Sequence, residues 1–363
     1  MAKKRRGNKD DSKPQKKKKM EIICSKNEHI TIEEVFARFP NLSEGIFGRL
    51  DDRSLVSCRE VSKTWLEYVD SQRIFWIRKI LKYANSQSKF HGEWQMILDK
   101  TPIKTLKKFA RFVWLDPQTE ASPLYAAGAL GDIELFNRIK EKTGLNEDSK
   151  NNRGNTAFHI AAANNQLNLC KVIIEKIKDK NPGCNNGRTP LHQAARKGHL
   201  KMCKLIMEKL QNKNPGCNIG ITPLHEAAAG GHVNIYQLIY EKIAATGLRL
   251  RSLKPVKKVD EMNPGNNKGS TPLHVAAKYG QLDVCKFLCL NLEEKSPKDE
   301  GGATPLHIAA KYGQFEICKL LCMNLKEKNP KDEFGRTPVS IAYDNEKWEI
   351  LHFLIAENNF HCS

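Results

Sequence analysis

The sequence has little of what a membrane protein or an enzyme needs. No apolar run approaches the roughly 20 residues that a membrane-spanning helix requires, so we expect no membrane partner. Phosphate-binding loops, the Gly-x-Gly-x-x-Gly pattern, the His-Glu-x-x-His pattern and a nucleophile elbow are also missing. These absences favour a non-catalytic protein with no catalytic residues, no metal, no cofactor and no small-molecule substrate.

Disulfide and zinc frameworks are also disfavoured, although the chain has 11 cysteines. None of them forms a Cys-x-x-Cys pair, and the sequence shows no secretory signal peptide. Most lie at related places in the repeats described below, where a free cysteine behaves as a small buried apolar residue. A reducing compartment fits this usage, so we expect the protein in the nucleus, the cytoplasm or both.

Acidic residues are in deficit, with 41 Asp and Glu against 60 Lys and Arg and a formal net charge of +19. The first twenty residues hold ten basic and two acidic residues and no apolar pattern, so we expect residues 1–30 to be a disordered basic tail. Two basic clusters there are typical of a bipartite nuclear localisation signal. A solvated tail with weak affinity for polyanions is the alternative. The clusters are Lys3, Lys4, Arg5, Arg6, Lys16, Lys17, Lys18 and Lys19.

A Thr-Pro-Leu-His phrase, followed by two small residues and a glycine, dominates the second part of the chain. Four clear copies begin at Thr189, Thr222, Thr271 and Thr304, and weaker copies begin at Ser122, Thr156 and Thr337. The starts are 34, 33, 33, 49, 33 and 33 residues apart. A fixed period near 33 predicts a helical solenoid, an architecture that presents an extended binding surface.

Each position of the phrase has a physical reason. Thr189 can cap a helix, and Pro190 suits the first helical position. Gly198 can adopt the left-handed conformation that ends a helix. The following run, Leu200 to Leu210, has apolar residues at helical spacing. Each unit is therefore predicted to be a short helix, a turn, a longer helix and another turn.

The repeated phrase resembles the ankyrin repeat. The resemblance implies an all-α fold for residues 121–363, with about seven repeats and an insertion at 244–262. In the terminal repeats Tyr125 and Ser340 replace the histidine, which suits caps with one neighbour. The recurring histidines, His192 among them, are interpreted as structural hydrogen-bonding residues, because a metal site needs converging ligands.

A second pattern precedes the repeats, from Phe39 to Trp76, and it resembles an F-box. Its clearest part, Ile46 to Trp65, has Ile-Phe-x-x-Leu-Asp followed by Leu, Cys, Val-Ser-Lys and Trp. It departs from the family pattern at Phe39, where Leu is typical, and in a first helix that is one residue shorter. We predict a helical F-box-like module over residues 36–80 and a helical linker over 81–120.

The F-box resemblance implies a binding site for a Skp-type adaptor and, through it, a cullin. A module of about 40 residues buries little core alone, and docking against a partner would compensate for this. The alternative is a small helical cap on the solenoid, in which the same residues would all be core. The residues assigned to the adaptor interface by resemblance are Pro40, Ile46, Phe47, Leu50, Leu55, Val61 and Trp65.

A target surface is expected on the short helices, which line the concave face in ankyrin-like arrays. Before the helix-ending glycine, three repeats carry the pairs Arg196-Lys197, Lys278-Tyr279 and Lys311-Tyr312. Lysine and tyrosine in this alignment favour an acidic or phosphorylated target protein, through charge and cation–π contacts. A solvated lysine-rich face is the alternative, and the basic insertion is either a contact loop or a disordered one.

An F-box joined to ankyrin-like repeats resembles a substrate receptor of an SCF-type cullin–RING ubiquitin ligase. The resemblance implies a non-catalytic adaptor. A nuclear ankyrin scaffold without ligase function is the alternative, and a polyanion-binding protein is a third reading. We do not expect nucleic acid as a partner, because no reading helix or aromatic sheet motif is present.

Overall fold

The chain forms two compact units, Met1–Lys82 and Tyr83–Ser363, in a computed structural model. The structure describes residues 21–23, 29–31, 76, 77, 80, 97, 98, 100–115, 123–250 and 263–359. The described fold is all-α apart from two three-residue strands.

The two strands belong to the first unit. β1 (Glu21–Ile23) pairs antiparallel with β2 (His29–Thr31), with Ile22 opposite Ile30. The sequence prediction of a disordered tail up to residue 30 was therefore wrong at residues 21–23 and 29–30. The physical reason is local composition, because β-branched isoleucines follow the basic clusters and favour extended pairing.

Buried helical residues of the first unit are Trp76, Ile77 and Ile80. Trp76 is the last residue of the F-box-like pattern. The adaptor-binding positions predicted from the pattern, from Pro40 to Trp65, lie outside the described residues.

The second unit begins with apolar residues of the predicted helical linker. Ile97 and Leu98 are buried, and helix α1 (Ile103–Leu115) buries Leu106 and Phe109. The Thr101 hydroxyl donates to the carbonyl of Ile97 at 2.9 Å. These apolar side chains form part of the core of the second unit.

Seven helix pairs follow, which matches the seven copies of the phrase. The short first helices are α2 (Pro123–Leu130), α4 (Ala157–Ala163), α6 (Pro190–Lys197), α8 (Pro223–Gly230), α10 (Pro272–Tyr279), α12 (Pro305–Tyr312) and α14 (Pro338–Asp344). Their partners are α3 (Ile133–Thr143), α5 (Leu167–Lys176), α7 (Leu200–Glu208), α9 (Val233–Leu250), α11 (Leu282–Asn291), α13 (Phe315–Asn324) and α15 (Trp348–Asn359).

The phrase acts locally as the sequence predicts. Thr189 is the N-cap of α6 in an extended conformation, Pro190 occupies the first turn, and Gly198 ends the helix with a φ of 81°. Ala194 and Ala195 are fully buried, which lets the short helices of adjacent repeats pack closely in one layer. The second helices pack in another layer, where Cys203 and Cys285 are buried and free.

The insertion differs from the loop expected at 244–262. Helix α9 continues through its first part to Leu250 and is 18 residues long. Ala244, Ala245, Leu248, Arg249 and Leu250 are good helix formers, so the second helix of this repeat extends instead of turning.

Within the described ranges, every helix is too short or too polar to span a bilayer.

Candidate protein-interaction surface

The repeat histidines join each repeat to the next. In α6, the Thr189 amide donates to Nδ1 of His192 at 3.2 Å, and the Thr189 hydroxyl lies 2.9 Å from the same nitrogen. Nδ1 is therefore the acceptor, which leaves the proton on Nε2. That Nε2 lies 2.9 Å from the carbonyl of Ile221 in the next repeat and donates to it. The same arrangement recurs at His159, His225, His274 and His307.

Burial keeps these histidines neutral. It lowers the pKa of His192 from 6.5 to about 4, although the hydrogen bond to the Ile221 carbonyl acts in the opposite direction. In the part of the chain that the structure describes, no group of three or more His, Cys, Asp or Glu side chains could hold a metal ion. Because both ring nitrogens of His192 make hydrogen bonds to the protein, the ring has a structural role.

Asparagines make a second set of links between repeats. At the turns, the Asn218 side-chain amide donates to the Asn185 carbonyl at 3.0 Å, and the Asn267 amide donates to the Asn218 carbonyl at 3.0 Å. Asn181 accepts a hydrogen bond from the Leu191 amide, ten residues further on, at 3.2 Å. These bonds hold the repeats in register, so the short-helix face is a rigid surface.

Five side chains on that face form what we call the cation–tyrosine row: Arg196, Tyr279, Lys278, Tyr312 and Lys311. The Arg196 guanidinium carbon lies 4.9 Å from the Tyr279 ring centroid. The Lys278 ammonium lies 5.6 Å from the Tyr279 centroid and 5.2 Å from the Tyr312 centroid. The Lys311 ammonium lies 6.0 Å from the Tyr312 centroid. Each tyrosine thus has two cations over its ring.

The row is open to solvent. Tyr279 is 46% exposed and Tyr312 is 43% exposed, so both rings are accessible to a ligand. Arg196 is 39% exposed, and both lysines are exposed. An exposed aromatic residue flanked by cations is suited to a polar ligand of negative charge.

A buried carboxylate holds one end of the row. Glu226, whose side chain is 3% exposed, lies 2.9 Å from the Arg188 guanidinium and 3.5 Å from the Arg196 guanidinium. Burial raises the pKa of Glu226, and the two arginines only partly offset this effect. Arg196 is therefore fixed between Glu226 on one side and Tyr279 on the other.

Small residues in the intervening repeat let Arg196 reach Tyr279. In α8, Ala229 and Gly230 occupy the positions that Arg196 and Lys197 occupy in α6. A Cβ atom on Gly230 would lie 2.6 Å from the Arg196 carbonyl oxygen and 2.6 Å from the His232 ring. The backbones of α6 and α8 approach closely here, and no long side chain separates Arg196 from α10.

Five of the six predicted target residues come together in the row, and Lys197 is exposed beside Arg196 without joining it. The sequence analysis missed Glu226 and Arg188. A signal for Glu226 was available in the sequence. It is an acidic residue at a repeat position where other repeats have the uncharged residues Gln193, Val275 and Ile308. The nuclear localisation residues, Lys3 to Lys19, lie outside the described residues.

Comparison with known families agrees with this architecture. A family model described as "Ankyrin repeats (3 copies)" matches residues 124–217, 208–299 and 290–363, about two-thirds of the chain. A second model, "F-box domain", matches residues 36–77. The chain therefore belongs to the ankyrin-repeat family and carries an F-box domain, as the two sequence resemblances implied.

Among solved structures, the human ASB11 ankyrin repeat domain is similar to this chain, with 22% sequence identity and a TM-score of 0.47. The match covers 65% of this chain and 97% of that domain. No curated protein matches the sequence. F-box domains and ankyrin repeats are typically non-catalytic modules of protein–protein interaction, which supports protein binding, and the family comparison found no catalytic domain.

Proposed function

We propose that this protein is the substrate-recognition subunit of an SCF-type cullin–RING ubiquitin ligase. The F-box domain and the seven-repeat array on one chain carry the proposal. The F-box binds a Skp-type adaptor and, through it, a cullin, while the array binds the protein to be ubiquitinated.

The chain has no bond-breaking role in this mechanism. Linking an adaptor-binding module to a target-binding module raises the effective concentration of the target near the ubiquitin-charged enzyme, so transfer becomes intramolecular. A rigid array suits this task, because the histidine and asparagine links between repeats fix where the target is held.

The F-box resemblance supplies the adaptor interface. Trp65 is an aromatic residue of the kind enriched at interface hot spots, and Leu55 is an apolar position of the same pattern where a charge would oppose docking.

The cation–tyrosine row is the target-binding surface in this proposal. Its cations, with Lys197 beside them, are complementary to an acidic or phosphorylated target protein. The tyrosines add rigid, amphipathic contact area of the kind found at binding hot spots.

Affinity purification of the full chain from cells tests the proposal. We expect the wild type to recover the Skp-type adaptor, a cullin and a target that accumulates when the proteasome is inhibited. Leu55→Asp and deletion of residues 36–80 should abolish adaptor recovery and leave target recovery intact. Lys278→Glu is the matched control. It should abolish target recovery and leave adaptor recovery intact.

Two outcomes would contradict the ligase function. Recovery of nuclear partners without the adaptor would identify a non-ligase nuclear scaffold. Adaptor recovery that survives Leu55→Asp and the deletion alike would show that the F-box domain is not the docking site.

A further inference from the structure

We propose that the cation–tyrosine row binds a peptide segment in the polyproline II conformation that carries an acidic side chain at every third residue. This inference deepens the proposed function, because it names the chemistry of the target at the same surface. It stands on the spacing of the cations, on the way they are held in place and on the state of the tyrosine rings.

The spacing of the cations follows from the rings they share. The Arg196 guanidinium carbon and the Lys278 ammonium lie 4.9 Å and 5.6 Å from the Tyr279 centroid, so they are at most about 10.5 Å apart. The Lys278 and Lys311 ammoniums lie 5.2 Å and 6.0 Å from the Tyr312 centroid, so they are at most about 11.2 Å apart. Lys278 and Lys311 lie on the adjacent short helices α10 and α12, and adjacent packed helices are separated by about 8–10 Å. Arg196 lies two short helices before Lys278, and its long side chain crosses α8 to come within the limit above.

A peptide in the polyproline II conformation fits these limits at intervals of three residues. That helix has three residues per turn and a rise of about 3.1 Å per residue, so positions i, i+3 and i+6 lie along one edge, about 9 Å apart. In a fully extended strand, by contrast, side chains three residues apart point to opposite faces. Acidic groups at positions i, i+3 and i+6 of a polyproline II segment can therefore face Arg196, Lys278 and Lys311 in turn.

The row is held in place before any peptide arrives. Arg196 is fixed between buried Glu226 and Tyr279, and Lys278 lies over both tyrosine rings. Ordering a long cationic side chain costs about 0.5–1.5 kcal/mol on binding, and a prearranged side chain avoids part of that cost. These contacts limit how far apart the cations can lie, so the row favours ligands whose charges match that spacing.

A peptide fits the row better than a nucleic acid does. Binding of single strands uses aromatic faces on which bases stack. Here each ring already has two cations over it. Duplex DNA also presents a phosphate about every 3.4 Å along the duplex axis on each strand. The cations of the row are spaced much more widely than these phosphates.

Fluorescence anisotropy with the full chain and labelled synthetic peptides tests the inference. Three peptides of equal length share one composition, with glutamates placed at i, i+3, i+6, at i, i+2, i+4, or in one block. We expect the first to bind about tenfold more tightly, the difference made by one charge-assisted contact. A fourth peptide, with phosphoserine at i, i+3 and i+6, distinguishes carboxylate from phosphate ligands.

Variants locate the site. Lys278→Ala removes the central cation and should abolish the spacing preference. Lys204→Ala removes an exposed lysine of the second helix α7, outside the target-binding surface, and should retain the preference. Both lysines are exposed, so neither substitution should unfold the repeats. Circular dichroism melting of both variants checks this.

Three results would overturn the inference: equal affinity for the three glutamate peptides, a spacing preference that survives Lys278→Ala, or tighter binding of single-stranded DNA of matched charge. Adaptor capture is measured on the same preparations. Loss of the spacing preference with adaptor capture intact counts against this inference alone, and absence of adaptor capture counts against the ligase function alone.

Discussion

The Arg196 guanidinium contacts the Tyr279 ring across an entire intervening repeat, with 4.9 Å between the guanidinium carbon and the ring centroid. The contact depends on Ala229 and Gly230 in that repeat, where longer side chains would stand in the way. Helices α6 and α10 therefore contribute to one surface because the side chains of α8 between them are small at these positions.

Gly230→Ala should destabilise the array, although alanine is normally the better helix former. The added Cβ would meet the Arg196 carbonyl oxygen and the His232 ring at 2.6 Å each. We expect the free energy of unfolding to fall by about 1–3 kcal/mol, the usual cost of overpacking. Denaturant melts of the isolated variant measure this.

Gly183→Ala is the matched control. A Cβ at Gly183 would meet its nearest atom at 3.5 Å, which is ordinary contact. A control variant as unstable as Gly230→Ala would show that the close approach of α6 and α8 is unimportant.

Stability should decline as the pH falls from about 6.5 to about 4. Burial lowers the pKa of His159, His192 and His225 from 6.5 to about 4, so in this window the unfolded chain binds protons that the folded chain does not. Stability falls with falling pH because folding favours the neutral form of these imidazoles. Urea midpoints measured from pH 8 to pH 4 should be flat above pH 7 and fall below it.

His192→Gln should make this decline shallower, since it removes one of the buried titrating groups. His352→Gln, on the exposed side of α15, should leave the decline as it is in the wild type. An unchanged slope in His192→Gln would contradict the assignment of the acid sensitivity to the repeat histidines.

Two buried carboxylates should respond in opposite ways to amide replacement. Burial raises the pKa of Glu226, so its stabilising contribution is present below pH 4.5 and is lost as the pH rises through the folded pKa. Glu226→Gln should therefore be neutral or stabilising at pH 7.

Asp332 is the counterpart. Burial acts to raise its pKa, but the Arg336 and Phe334 amides and the Arg336 guanidinium, at 2.9 Å or less, lower it on balance. Its contribution is present above the unfolded value of 3.8 and is lost as the pH falls. Asp332→Asn should cost about 1–3 kcal/mol at pH 7. Equal effects of the two replacements in thermal melts would contradict these environments.

Deletion of residues 1–20 should move a fluorescently tagged chain from the nucleus to the cytoplasm. The segment supplies +8 of the formal charge in two clusters. Replacing only Lys16, Lys17, Lys18 and Lys19 by glutamine should weaken import, because a bipartite signal needs both clusters. Unchanged nuclear fluorescence after the deletion would contradict a localisation signal in this segment and would favour a solvated tail.

The helical pairs could be predicted from sequence because their signals are local. Thr189, Pro190 and Gly198 fix the start and end of a helix by their own conformational preferences, and the 33-residue period multiplies that evidence. The extension of α9 to Leu250 was missed because alanine, leucine and arginine favour a helix without marking where it ends.

The row was predicted only in part, for a different physical reason. Its lysines and tyrosines stand at equivalent positions, so their alignment follows from the period. The buried pair of Glu226 with Arg188 and Arg196 depends on three-dimensional contacts between repeats, which no periodic pattern specifies.

The insertion after α9 leaves the stacking of the repeats unchanged on either side. The His225 ring lies 2.9 Å from the Ser270 carbonyl, and the Asn267 amide lies 3.0 Å from the Asn218 carbonyl, the same distances as in repeats without an insertion. We therefore expect that foreign sequence grafted between Leu250 and Asn263 leaves the register of the repeats unaltered. A fluorescent reporter or an affinity tag placed there would report on an otherwise intact array.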